Sequence, residues 1–125
     1  MYKYYNPNPK NRLVDDCVIR AIALLTDQTW DNTYIGITMA GFDEKDMPSS
    51  GRAFSKYLSD IGFKRYIIPN TCPNCYTVRD FCSDNPKGNY LLVTDKHVIG
   101  VKDGNYYDTW DSGDEIPMYY WQRRN

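Results

Sequence analysis

The spacing of apolar residues changes about halfway along the chain. Residues 1 to 14, "MYKYYNPNPKNRLV", are rich in proline and asparagine and read as extended. "CVIRAIALLT" is apolar almost all round, with Arg20 its one charge, and predicts a buried, central helix from about Cys17 to Leu25. Asp15 or Asp16 stands where a carboxylate can cap that helix. Trp30, Tyr34 and Ile37 then recur at helical spacing after a capping Thr29, and "GFDEKDMPSSG" reads as a polar connection. Phe54, Tyr57, Leu58 and Ile61 predict a third helix, capped by Ser49 or Ser50 and stopped by Gly62.

From Phe63 the period shortens. "FKRYII" reads as a strand ended by Pro69, "CPNC" as a turn, and "TVRDFCSDN" as a short helix capped by Thr77. "NYLLVT", "HVIGV", "NYYDTW" and "MYYWQ" read as strands. Helices followed by a mostly antiparallel sheet is an α+β layout, here with the first helix at its centre. The length, 125 residues without repeats or a linker, fits one domain spanning 1–125.

The hairpin carries the most local information. In "HVIGVKDGNYYDTW" the Asp103-Gly104 pair favours a two-residue turn. Lys102 then pairs with Asn105, Val101 with Tyr106, Ile99 with Asp108 and His97 with Trp110. Alternation puts His97, Ile99, Val101, Tyr106, Asp108 and Trp110 on one face, with His97 and Asp108 diagonal neighbours. Asp111 has the opposite parity and joins them only if the chain turns at "DSGD".

His97 is the chain's one histidine, and Cys17 opens its most apolar helix. A cysteine in a helix's first turn meets backbone N–H groups and a dipole that favour thiolate, and a neighbouring N–H can receive an oxyanion. A His–Asp pair against that end makes a nucleophile, a base and an orienter. The charges of Asp15 and Asp16 oppose the thiolate if they point at it.

Cys17 in "DDCVIRA", His97 in "KHVIGV" and Asp108 in "YYDTW" follow the order of the papain-like cysteine peptidases: a cysteine opening a central helix, a histidine at a strand start, then Asn or Asp on the next strand. The chain resembles their compact bacterial and phage-type members, including bacteriocin-processing peptidase domains. The resemblance covers nearly the whole chain. It implies a papain-like fold and a cysteine hydrolase (peptidase, isopeptidase or amidase) working on a protein or peptide substrate through a thioester. Cys17 would be the nucleophile, His97 the base and Asp108 the orienter. The glutamine such enzymes carry shortly before the cysteine is missing. Asn11, six residues before Cys17, is the candidate oxyanion donor in its place. Three other readings stand beside this one: an acyl transferase on the same triad, a non-catalytic interaction module that keeps the fold, and a zinc-stabilised module.

Composition narrows the classes. A net charge of −1 carries no basic footprint for nucleic acid, and the closing "QRRN" is too short to change that. No window has the length of a membrane span, and the polar start has no leader pattern, so a cytoplasmic protein is expected. In that compartment Cys17, Cys72, Cys75 and Cys82 should be reduced. The CxxC at 72–75 lacks a second pair for zinc, and neither metal nor cofactor is expected.

Overall fold

The computed structural model, which describes residues 1–123, has four helices and a six-stranded, mostly antiparallel sheet. The last two residues of the basic "QRRN" tail, Arg124 and Asn125, lie outside the described residues. The elements are β1 (Tyr2–Tyr4), α1 (Cys17–Thr26), α2 (Trp30–Glu44), α3 (Gly51–Asp60), β2 (Phe63–Ile67), α4 (Val78–Asp84), β3 (Asn89–Val93), β4 (Val98–Lys102), β5 (Asn105–Asp108) and β6 (Tyr119–Arg123). The sheet order is β1-β5-β4-β3-β6-β2. The α+β class expected from the period change is therefore present. No helix among the described residues is long and apolar enough to cross a membrane.

Local signals place the helix starts. Thr29, Ser50 and Thr77 each accept a backbone N–H three residues on, and Thr77 with Asp80 forms a full capping box. Asp16 departs from expectation. It occupies the N-cap of α1, but its carboxylate makes no capping bond because it is engaged elsewhere. Helix α2 also runs on to Glu44, through residues expected to form a connection. Gly41 does not end it; the following chain folds back so tightly that a Cβ there would lie 3.0 Å from the Asp46 carbonyl oxygen.

The sheet is covered on both faces. Leu91, Val93, Val98 and Trp121 pack with Ala21, Ile22, Phe54 and Leu58 on the α1/α3 side. Tyr90, Leu92, Ile99, Val101 and Tyr106 pack with Val78, Phe81 and Cys82 on the α4 side. Gly100 sets how closely α1 lies on β4: a Cβ there would come 2.8 Å from Leu24 Cδ2 and 3.4 Å from Ala21 Cα. Ala21 is one helical turn beyond Cys17 and Gly100 three residues beyond His97, so this contact brings the start of α1 to the start of β4.

The hairpin register is as expected at the three pairs nearest the turn, with Asp103 (φ 50°) and Gly104 (φ 76°) both left-handed. The N-terminal segment is extended, and it also forms β1, an edge strand running parallel to β5 with Tyr4 opposite Asp108. One cysteine expectation is overturned. Cys72 and Cys75 are joined in a disulfide, leaving Cys17 half-buried and Cys82 buried as free thiols. Two cysteines three residues apart on one tight loop have little choice of partner.

Candidate active site

Alternation along β4 and β5 assigns Ile99, Val101 and Tyr106 to the α4 side, whereas Cys17 belongs to α1 on the opposite side. The candidate site forms where the sheet ends. His97 immediately precedes β4 and Asp108 is the last residue of β5, so both lie level with the N-terminus of α1. A tight turn holds His97, because the backbone N–H (2.8 Å) and the hydroxyl (3.2 Å) of Thr94 both donate to the His97 carbonyl oxygen. Asp108 is held through its own carbonyl, which accepts from the Tyr5 N–H (2.9 Å) and the Tyr2 hydroxyl (3.2 Å). The edge strand missed in the sequence thus anchors a site residue.

His97 Nε2 lies 2.5 Å from Asp108 Oδ2, and the ring also hydrogen-bonds the Cys17 side chain. With Nε2 on the carboxylate, Nδ1 is left to the thiol. The expected trio is therefore brought together. Trp110 stacks on His97, ring centres 5.0 Å apart at a tilt of 31°. Burial pulls the His97 pKa down, but the bonds to Asp108 and then to Cys17 outweigh it and lift it to about 9. Burial likewise opposes the Asp108 charge, yet the bonds from His97 and Ser112 leave its pKa below the usual carboxylate value.

Asp108 is fully buried and saturated with donors. Oδ2 takes His97 and the Ser112 hydroxyl (2.7 Å), and Oδ1 takes Arg20 Nη2 (2.9 Å) and the Thr109 N–H (2.8 Å). Arg20 also reaches Asp16 through Nη1 (2.5 Å), and Asp16 Oδ2 accepts from Trp30 Nε1 (2.8 Å). Arg20 and Ser112 were not singled out in the sequence. A signal did exist for Arg20, since a lone charge in an otherwise apolar helix needs a buried partner.

Asn11 lies elsewhere. It is exposed in a turn at φ 55°, its N–H bonded to the Asn8 carbonyl, and it is not among the described residues lining the cleft. Asp111 is turned away from the histidine and accepts from the Tyr106 hydroxyl (2.5 Å) and Arg79 (3.2 Å). Cys17 and His97 open onto a cleft of about 560 Å³ walled by Ile37, Phe54, Val93 and Tyr119, with Asp15, Asp95 and Lys96 also lining it. No group of three or more His, Cys, Asp or Glu side chains suited to a metal ion occurs among the described residues.

The chain matches no family model, no curated protein and no solved structure.

Proposed function

We propose that this chain is a cysteine hydrolase of papain-like type, acting on peptide, isopeptide or side-chain amide bonds. The observation that carries the reading is the hydrogen-bonded series Cys17, His97, Asp108 at the mouth of a cleft. Cys17 Sγ attacks the amide carbonyl carbon and passes its proton to His97 Nδ1. The backbone N–H groups of the first turn of α1 receive the oxyanion, in place of a side-chain amide. This turn is free to do so because the Asp16 carboxylate is bound to Arg20 and Trp30 rather than folded over it. When the tetrahedral species collapses, the C–N bond breaks and His97 returns its proton to the leaving amine. Water then attacks the thioester with His97 as base, releasing the acid and restoring the thiol.

Labelling with iodoacetamide followed by peptide mass analysis tests this. Native Cys17 should label faster than Cys82 at pH 6, and His97→Ala should cut its rate there about tenfold or more, the usual scale for losing a base. Cys82 is the control, since burial raises its pKa to about 11. If Cys17 labels no faster than Cys82, or is indifferent to His97→Ala, the hydrolase reading fails and the non-catalytic module replaces it. Release of acid rather than a transferred acyl product from a thioester substrate separates hydrolysis from acyl transfer.

A further inference from the structure

We infer that Arg20 is a positioning residue of this site, fixing Asp108 so that the His97 ring is presented to Cys17; the inference rests on the hydrolase reading above. Arg20 lies one helical turn after Asp16 and three residues after Cys17. Its two terminal nitrogens go to two different acids, Nη1 to Asp16 Oδ1 and Nη2 to Asp108 Oδ1. Each carboxylate uses its second oxygen otherwise: Asp16 for Trp30 Nε1, Asp108 for His97 and Ser112. The bonded path from Asp16 through Arg20, Asp108 and His97 to Cys17 therefore ends at the residue next to its start. Such a ring of contacts leaves no member free to rotate alone. It ties the N-terminus of α1, on one face of the sheet, to Asp108 at the end of β5, a side chain whose parity is that of Tyr106 on the α4 side.

Burial makes the arrangement consequential. Asp16 and Arg20 are each 5% exposed and Asp108 0%, so neither acid can exchange Arg20 for water. Two carboxylates and one guanidinium leave one negative charge, which a protonated His97 balances. Other charged or titratable groups near the pair are Asp15 just before α1, Cys17 at its first position, Asp95 and Lys96 in the turn before β4, and Tyr2 on β1. Among the described residues none of these bonds an Asp108 carboxylate oxygen, which leaves Arg20 as the charged group that fixes Oδ1 while His97 uses Oδ2. A planar fork can serve two acids in two directions; an ammonium presents one point of charge.

The chain has one histidine, so its ring titration by NMR is free of overlap. Arg20→Lys keeps the charge and removes the fork. The His97 midpoint should fall by about one pH unit from its native value, and Cys17 labelling at pH 6 should slow because the ring is no longer held toward the thiol. A clamp that only stabilised the fold would lower the melting temperature and leave both readings unchanged, and that result overturns the inference. If Arg20→Lys does not fold, Trp30→Phe decides: it loosens Asp16 with no change of charge, and the midpoint must fall in the same direction, an unchanged midpoint again overturning the inference. If the unaltered protein shows no His97-dependent labelling, the hydrolase reading falls by itself. The ring midpoint in Arg20→Lys then still decides, a fall supporting the role of Arg20 and no change refuting it.

Discussion

At the scale of single residues the site is an exercise in charge placement. His97 is the only group in it whose shift reaches into the neutral range. Folding raises its pKa from 6.5 to about 9, so its contribution to stability is fully present below about pH 6.5 and is lost as pH rises through about 9. The full span of that loss is on the order of 3 kcal/mol. Asp108 shows the same interaction from the other side. Its pKa is lowered, so its share is present above the ordinary carboxylate range and disappears as pH falls through the depressed value. Urea midpoints measured across pH should therefore decline between about pH 6.5 and 9 in the native protein and stay nearly level there in His97→Ala. Asp108→Asn removes the acceptor charge while keeping the size. The NMR midpoint of His97 should then fall, since burial still lowers it and only the interaction with Cys17 is left to raise it.

At the scale of elements, the contact between α1 and β4 carries the geometry. Gly100 allows the helix to lie on the strand with Leu24 and Ala21 in van der Waals contact. Gly100→Val inserts a branched side chain where even a Cβ is 2.8 Å from Leu24 Cδ2. Chemical denaturation should show a loss of about 1–3 kcal/mol or more, the range for an overpacked core. Because the inserted bulk pushes on the helix that bears Cys17, Cys17 labelling at neutral pH should slow as well. Thr77→Ala probes an element far from the site. It removes the capping box of α4 and should cost about 1 kcal/mol while leaving Cys17 labelling as it was.

At the scale of the whole molecule, the cysteines divide into three environments. Cys17 faces the cleft, Cys82 is on the buried face of α4, and Cys72 and Cys75 are joined on an exposed loop after β2. Alkylation in denaturant followed by intact-mass measurement should add two labels without reductant and four with it. Reduction should leave Cys17 labelling in the native state unchanged, because the disulfide closes only a four-residue loop outside the Cys17–His97 cleft. Four labels without reductant would show that the loop cysteines are free in solution.

Much of this protein follows from short-range chemistry and was therefore legible in the residue order. Caps at Thr29, Ser50 and Thr77 act within three residues, and the Asp103-Gly104 turn sets a register that places His97 and Asp108 near each other. The apolar circumference of "CVIRAIALLT" marks a central helix with Cys17 at its start, because period and capping are local properties of the chain. What only tertiary structure decided are the meetings between distant segments. Nothing in "YKY" says it will run parallel to β5 and grip the Asp108 carbonyl. Nothing near Arg20 reveals a carboxylate 88 positions away, nor that Asp16 would bond it rather than cap the helix. Those outcomes depend on which surfaces are brought together once α1 settles over Gly100, and a buried charge takes whatever partner that packing supplies.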